Sequence, residues 1–553
     1  MYAGLIPFLL FATSLLILLL GRASRRLCEL LAVIATGGSA ALSLYLLVEP
    51  EPTATGPLAV LTDPLSRFML AVVNGLGFLI VVYSVGYMSG EKSFVRYYFF
   101  ILLFIGAMSG LVLSEDLVYL YLFWELVGVC SAMLISFWWE KPEARRAGLK
   151  AFAVTRVGDI GFLLAIALAI HSLGTTRIPY VLAGLNKDPS LASITGLLLV
   201  IAATGKSAQL PLMVWLPDAM EGPTSVSALI HAATMVKAGV YLVSRFYPAL
   251  THDTLTTLFW IALATSLISA VSALASQDLK RVLAFSTINH LALMFLALGA
   301  GAWASAQLHL LSHSLFKALL FLCAGLIAHE TGTRNLDEIG GLWKGGMRLT
   351  ATAFLIGALS LAGVPPFPGY FTKEAVLASF EKVLGSEGHL FAFVLSFLST
   401  AYIFRLFLRL FLGAPKERYE ERNLWMITPI LVLASLTCIG FVLLEAASSI
   451  LGVELPEVHV DWYAVSGLAA GLALALGVWG VGLVSGFRRA LYGFARVADG
   501  MFYLDDLYTW VARKVAYNAS TVTTRLQQGN PAYYTLWLFG FVILLFIIVL
   551  AVT

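Results

Sequence analysis

The sequence predicts an all-α polytopic membrane protein of about sixteen transmembrane helices. Three observations carry that prediction. Apolar runs of about 20 residues, enough to cross roughly 30 Å of hydrocarbon, recur from Leu5–Leu20 to Tyr534–Val552. Of the 553 residues 59% are hydrophobic and only 12% are charged, about half the charged share of an average soluble chain. Alternating polarity in segments of roughly ten residues, the mark of a membrane β-barrel, is absent.

Taken in order, the expected spans are 3–20, 27–48, 62–88, 95–113, 116–138, 149–171, 191–216, 224–247, 255–275, 280–300, 304–328, 350–378, 388–412, 425–448, 462–486 and 532–552. The first run has no basic stretch before it, and its positive cluster (Arg22, Arg25, Arg26) follows, so it reads as a retained span and not a signal peptide. Loops after odd-numbered spans hold most of the basic residues, among them Lys92, Arg96, Arg145, Arg146, Lys280, Arg281, Arg334 and Arg418. Loops after even-numbered spans hold little beyond Arg177, Lys187, Arg245 and Lys382. The positive-inside rule then places the odd loops in the cytoplasm and the N-terminus outside, in a multi-pass protein of the cell or inner membrane. Met501–Gln528 has no Gly or Pro and mixes Leu504, Leu507, Tyr508, Trp510, Val511 and Val515 with Asp505, Asp506, Arg513 and Lys514. That mixture is too polar to span and suits an amphipathic helix lying in the membrane interface.

The informative residues are ionisable groups stranded inside apolar segments: Glu125, Lys206, Lys237, Lys317 and Lys373. A charge at the bilayer centre costs about 2.5–3.5 kcal/mol on insertion scales, so such residues point to an ion path. Glu125 and Lys206 are each disfavoured alone and mutually favoured within about 4–6 Å, which makes them a candidate switching pair; the bland alternative is a static ion pair. Pro211, Pro217 and Pro223 follow Lys206, and Pro365, Pro366 and Pro368 precede Lys373 and Glu374. Proline removes a backbone donor, so both regions read as interrupted helices of a transporter core, or as simple kinks. His309, His313 and Lys317 fall at i, i+4 and i+8 on one helical face. A zinc pair is the alternative to a hydrated proton stripe, but the lysine opposes a cation and no carboxylate completes a ligand set. His231 and Lys237 offer a bridging polar line, while a lone His290 reads as a hydrogen-bonded packing residue. Arg156 and Asp159 are one turn apart and suit a structural pair, or electrostatic tuning of the Glu125 site.

The net charge of +3 gives no argument for a nucleic-acid partner. The four cysteines, Cys28, Cys130, Cys323 and Cys438, show no CxxC or iron–sulfur spacing, so no cofactor or metal is expected on this chain.

Several segments resemble the antiporter-like subunits of respiratory complex I, in particular the distal NuoL-type subunit, and their relatives in Mrp sodium/proton antiporters and membrane-bound hydrogenases. They are Phe123-Trp-Glu-Leu-Val-Gly128, Lys150-Ala-Phe-Ala-Val-Thr-Arg-Val-Gly-Asp159, Gly205-Lys-Ser-Ala-Gln-Leu-Pro-Leu212, Gly222–Gly239, Asp278–Thr287 and Phe316–Phe321. The resemblance implies two inverted five-helix repeats with discontinuous helices, over 95–247 and 254–412. N-terminal helices over 1–94 precede them. Two spans over 425–486, a lateral helix within 487–530 and an anchoring span over 531–553 follow. It implies Glu125 and Lys206 as the coupling pair, Lys317 as the central lysine, Lys373 with Glu374 as the outlet, and His231, His309 and His313 as the relay.

The function expected is that of a proton-translocating membrane subunit of a redox-driven complex, a complex I-like NADH-, F420H2- or ferredoxin:quinone oxidoreductase or a related hydrogenase. Its partners would be other membrane subunits (antiporter-like, NuoK-, NuoJ- and NuoH-like) in the lipid bilayer. Those and further subunits would carry the iron–sulfur clusters, flavin and quinone. The alternatives are a subunit of an Mrp-type Na+/H+ antiporter without redox chemistry, and a structural arm that has lost transport.

Overall fold

A computed structural model describes residues 2–21, 24–51, 60–456, 461–480, 492–526, 535 and 539–540. The first helices follow one another closely: α1 (Tyr2–Leu20), α2 (Arg25–Val48), α3 (Pro64–Tyr87), α4 (Phe94–Leu113), α5 (Leu117–Ile135) and α6 (Pro142–Leu173). A short α7 (Ile178–Leu185), α8 (Pro189–Lys206) and a one-turn α9 (Trp215–Asp218) lead to α10 (Thr224–Ala232), α11 (Met235–Phe246), α12 (His252–Ala275), α13 (Leu279–Gly299) and α14 (Trp303–Thr331). Then come α15 (Arg348–Ala362), α16 (Pro368–Ala378), α17 (Glu381–Leu384), α18 (Glu387–Phe411), α19 (Leu424–Cys438), α20 (Gly440–Leu451), α21 (Trp462–Ala475) and α22 (Tyr492–Asp499). These make up the larger unit, Met1–Asp499, and the smaller unit, Gly500–Thr553, contains α23 (Leu504–Leu526).

The protein is thus all-α and polytopic, with no strand among the described residues. Thirteen described helical stretches are long and apolar enough to cross a membrane, and the bent pair α19–α20 makes a fourteenth. The expected spans 350–378 and 425–448 are each two helices, and 532–552 lies outside the described residues except for Thr535 and Phe539–Gly540. The core is where the lysines are. The apolar window of Thr224–Ala249 is wholly buried, and those of α13 and α14 almost wholly, whereas α1 and α2 bury well under half. An apolar helix buried all round belongs to the centre of a bundle, and one with a free apolar face suits lipid.

The breaks in the helices differ in cause. α8 stops at Lys206, ten residues short of the expected end; Pro211 lies in the non-helical stretch that follows, Pro217 inside the one-turn α9 and Pro223 just before α10. Backbone freed at that depth must find partners within the protein. Trp215 Nε1 donates to Gly205 O at 3.0 Å, Gln209 Nε2 to Ser207 O at 2.8 Å, and the Leu210 N–H to Thr265 Oγ1 at 3.0 Å. The α15–α16 break falls at the prolines, as expected. The expected span 224–247 is also broken, at Ala233–Thr234, with neither Gly nor Pro. There Thr234 leaves the helical region (φ −127°, ψ −109°) and its hydroxyl donates to Leu229 O at 2.8 Å. α19 and α20 meet at 71°, where Gly440 packs on Pro368; an added Cβ would come within 2.8 Å of the proline ring.

Two loops repeat one hydrogen-bonding pattern. After α6, Gly174 turns left-handed (φ +65°); Leu117 N–H then bonds Thr176 O at 2.9 Å and Ile178 N–H bonds Glu115 O at 2.8 Å. After α14, Gly332 turns left-handed (φ +69°); Leu279 N–H bonds Arg334 O and Leu336 N–H bonds Gln277 O, both at 2.9 Å. In each case an aspartate, Asp116 or Asp278, caps the helix that starts there.

The stretch expected as one amphipathic helix from Met501 is a helix from Leu504, preceded by three residues at positive φ, Met501, Phe502 and Tyr503. Leu507, Trp510, Val515 and Tyr517 are exposed on it. α22 belongs instead with the larger unit, where Ser272 Oγ on α12 donates to Ala498 O at 2.7 Å.

Candidate functional site

The ionisable row is buried: Lys206, Lys237, Lys317, His231, His290, His309 and His313 are sealed from solvent, and Lys373, Glu374 and Asp159 nearly so. Glu125 is the exception, about a quarter exposed, as is Arg156.

At its first end the row is a four-residue chain of charges. Glu125 on α5 pairs with Arg156 on α6, Arg156 Nη2 lies 2.8 Å from Asp159 Oδ2, and that oxygen lies 3.4 Å from Lys206 Nζ at the end of α8. The expected direct Glu125–Lys206 pair is therefore not formed. Asp159 is the carboxylate against the lysine, and Arg156 carries the link to Glu125. Asp159 and Arg156, expected as a side pair, form the middle of the site. Trp124 Nε1 donates to the other Asp159 oxygen at 2.5 Å, and the lysine ammonium sits 5.5 Å from the Trp124 ring centre. Two glycines make room for this. Gly158 and Gly205 let α6 and α8 touch, since a Cβ on Gly158 would lie 2.9 Å from Gly205 Cα. Gly128, one turn from Glu125, leaves space that Arg156 Nη2 and Lys206 Nζ border. A cation at the last residue of α8 is also favoured by the helix dipole.

The other two broken spans share a device. Lys237, in the first turn of α11, reaches back to donate to Ala232 O, the last residue of α10. Lys373 on α16 reaches back to donate to Ala362 O, the last residue of α15, at 2.9 Å. Each ammonium thus satisfies a carbonyl that the break has freed, and sits at the negative end of a half-helix dipole. Lys237 also donates to Ser314 Oγ and, at 3.3 Å, to Leu310 O, both on α14; Lys373 donates to Ser399 Oγ at 2.7 Å.

Between them lies the histidine cluster. His309 Nε2 and His290 Nδ1 share a hydrogen bond of 3.1 Å, and the His290 ring centre lies 5.6 Å from that of His313. His309 Nδ1 shares a 3.0 Å bond with Thr372 Oγ1, next to Lys373 in sequence. Both His309 nitrogens are thus engaged, which leaves none to join His313 on a metal. His290, read from sequence as a packing residue, belongs to the cluster. His231 stands apart: its ring lies 4.7 Å from that of Phe321 and neither nitrogen has a hydrogen-bond partner among the described residues. Lys317 donates to Ser286 Oγ and, at 3.3 Å, to Leu283 O on α13, with no bond to a histidine among the described residues. Glu374 makes no ion pair with Lys373 among the described residues; its carboxyl faces the backbone N–H of Asp461 instead. Asp461 Oδ2 in turn lies 3.1 Å from His389 Nδ1, which is partly exposed. No sequence spacing pointed to Asp461 or His389, because they meet Glu374 only through packing of α16, α18 and α21.

Cys28, Cys130, Cys323 and Cys438 sit on four different helices, three of them buried, and no group of three His, Cys, Asp or Glu residues among those described is arranged to hold a metal.

Comparison with known proteins places the chain in a family. Residues 114–403 match the family described as NADH:quinone oxidoreductase/Mrp antiporter, TM, and residues 53–98 match the N-terminus of complex I chain 5. The chloroplastic NAD(P)H-quinone oxidoreductase subunit 5 of Zygnema circumcarinatum is 42% identical over 374 residues, which cover 64% of this chain and 53% of the relative. The corresponding subunit of Mesostigma viride is 35% identical over 500 residues, covering 81% of this chain and 75% of the relative. The chain spans about half the length of the first of these relatives. Among solved structures, an Mrp complex from Dietzia sp. superposes with a TM-score of 0.84 at 27% identity, covering all of this chain and 63% of that one. A membrane-bound sulfane sulfur reductase, an archaeal respiratory complex, shares the fold at a TM-score of 0.74 and 21% identity, over 85% of this chain and 99% of that one. With the family match extending over more than half of its length, the chain belongs to the NADH:quinone oxidoreductase/Mrp antiporter transmembrane family.

Proposed function

We propose that this chain is a proton-translocating, antiporter-like membrane subunit of a redox-driven complex. The observation that carries the reading is the buried row itself. Lysines cost stability at such depth, yet here each one is held by a specific hydroxyl, carbonyl or carboxylate. Protons would enter at Glu125–Arg156–Asp159–Lys206, cross from Lys237 to the His313–His290–His309 cluster on α13 and α14, and leave by Thr372, Lys373 and Glu374. Lys317 and His231 would act as side stations, joined when water or a rotamer change brings them into line. The chemistry needed of this chain is proton exchange between neighbouring groups. Electron transfer would belong to partner subunits that hold the iron–sulfur, flavin and quinone groups.

The matched loops after α6 and α14 support the two-repeat organisation over 95–247 and 254–412. Under the charge-derived orientation they fall on opposite faces of the membrane, as inverted repeats require. The same orientation puts the N-terminus outside.

Proton pumping by the reconstituted complex tests the reading. Glu125→Gln or Lys206→Ala should lower the protons moved per electron; undiminished pumping would sink it. A second reading, a cation/proton antiporter subunit without redox chemistry, is favoured by the full-length superposition on the Mrp complex. Sodium-dependent proton exchange in vesicles with no electron donor would select it.

A further inference from the structure

We propose that Arg245 and Asp63 form a proton seal, closing the short way from Lys237 to the membrane surface and so directing protons along the buried row. The proposal rests on the proton-translocating reading above. α11 carries Lys237, Tyr241 and Arg245 at i, i+4 and i+8, one stripe about 12 Å long at 1.5 Å per residue. The stripe ends at a cavity of about 470 Å³ lined by Asp63, Leu182, Arg245, Tyr247, Pro248 and Trp303. Pro248 is exposed and Asp63 about a third exposed, so the cavity reaches the surface, on the side the charge pattern assigns to the outside. Geometrically this offers Lys237 an exit about 12 Å long.

Chemically it is blocked. The Arg245 guanidinium is bidentate on Asp63, with Nη2 at 3.0 Å from Oδ1 and Nη1 on Oδ2. Nη2 also donates to Ser66 Oγ at 2.7 Å and to Tyr241 OH at 2.9 Å. The hydrogens of those two hydroxyls are themselves tied to one acceptor, Val112 O, at 2.7 Å from Ser66 and 2.8 Å from Tyr241. Proton hopping needs groups that accept on one side and release on the other, and a guanidinium does neither. Its fixed positive charge also repels a hydrated proton, as arginines do in pores that exclude protons. Burial opposes ionisation of Asp63, but the Arg245 guanidinium and the Ser66 N–H hold its carboxyl below the usual carboxylate range, so it remains a fixed anion. The contrast with the other end is chemical: Glu374, Asp461 and His389 are all groups that can take up and release a proton.

A structural tie between α3 and α11 is the competing account, and stability alone does not separate the two. Passive leak does. The assembled complex would be reconstituted in liposomes with Cys438→Ser and Leu182→Cys, and decay of an imposed pH gradient followed with no electron donor present. Adding Arg245→Gln should speed the decay at least tenfold. A bulky, charged thiol reagent on the cysteine introduced at the cavity wall should restore the tight state. A tight Arg245→Gln complex, or a leak that the reagent does not stop, overturns the seal. If Arg245→Gln does not assemble, Asp63→Asn with Arg245→Gln removes the charges together, leaves no unpaired buried ion, and is read in the same way. The leak needs no turnover, whereas donor-driven pumping by the unsubstituted complex tests the underlying function; either can fail while the other stands.

Discussion

The Lys206 ammonium stands 3.4 Å from Asp159 Oδ2, an oxygen that also lies 2.8 Å from Arg156 Nη2. One carboxylate oxygen therefore sits between two cations, one of them wholly buried. Arg156 holds both carboxylates at once; were it to move wholly to Glu125, Asp159 would be left to Lys206, and were it to move wholly to Asp159, the lysine would lose part of its counter-charge. An opposite charge within about 4–6 Å favours the ionised form, so the position of Arg156 sets how readily Lys206 holds its proton.

Asp159→Asn keeps an oxygen for Trp124 but deprives Lys206 of its anion. Breaking a buried pair from one side costs about 3–5 kcal/mol, and we expect a large fall in Tm with loss of pumping. Glu125→Gln leaves Arg156 its pairing with Asp159, so its Tm should fall by less than that of Asp159→Asn while pumping per electron falls. Thermal unfolding of the purified complex, with pumping measured in liposomes, compares the two. Equal Tm losses would show that Asp159 is not the buried partner.

Gly128 and Gly158 separate function from folding. A Cβ on Gly128 would come 2.5 Å from Arg156 Nη2 and 2.7 Å from Lys206 Nζ, both ends of long side chains that can move aside. Gly128→Ala should therefore assemble normally yet displace the charges, and misplacement by about 1 Å costs up to roughly a hundredfold in rate. A Cβ on Gly158 meets backbone, so Gly158→Ala must push α6 and α8 apart, at about 1–3 kcal/mol. Gly158→Ala should lose both stability and pumping, because the α6–α8 contact brings Asp159 to Lys206, whereas Gly128→Ala should lose pumping alone; a Tm loss in Gly128→Ala as large as that in Gly158→Ala would refute the distinction.

How much of this was legible in the sequence depended on the range of the signal. Lysines inside apolar runs stand out by composition, and Lys206, Lys237, Lys317 and Lys373 are all buried as expected. The ends of α8 and α15 were marked by proline, which acts locally. The break at Ala233–Thr234 was not marked, because it is held by the Thr234 hydroxyl and the Lys237 ammonium reaching carbonyls on the preceding turns. Asp159 looked like a local partner of Arg156, three residues away; only the glycine contact between α6 and α8 brings it to Lys206. His290 looked solitary because its partner, His309, lies on the next helix and not on its own face.

His290 gives a direct test of the relay. It shares a hydrogen bond with His309 and its ring lies against those of His313 and Phe316. His290→Leu fills a similar volume and removes the exchangeable nitrogen; it leaves His309 bound to Thr372. Assembly should survive, at a cost of about 1–3 kcal/mol for the unpaired His309 nitrogen, and pumping should slow while electron transfer by the complex continues. Normal pumping in His290→Leu would return His290 to the packing role that its isolated position suggested.

Asp461 tests the outlet. It caps α21 by accepting from the Tyr463 N–H at 2.9 Å, faces the Glu374 carboxyl through its own N–H, and holds His389 Nδ1 at 3.1 Å. Asparagine caps a helix about as well as aspartate, whereas alanine loses about 1 kcal/mol. Asp461→Asn should thus leave Tm almost unchanged, remove the charge between Glu374 and His389, and slow proton release measured as acidification of the medium. Asp461→Ala should lose the same release together with the cap. If release depends only on the cap, the asparagine variant will behave as the wild type, and the Glu374–Asp461–His389 line is then a structural clasp at the end of α21 and not an exit.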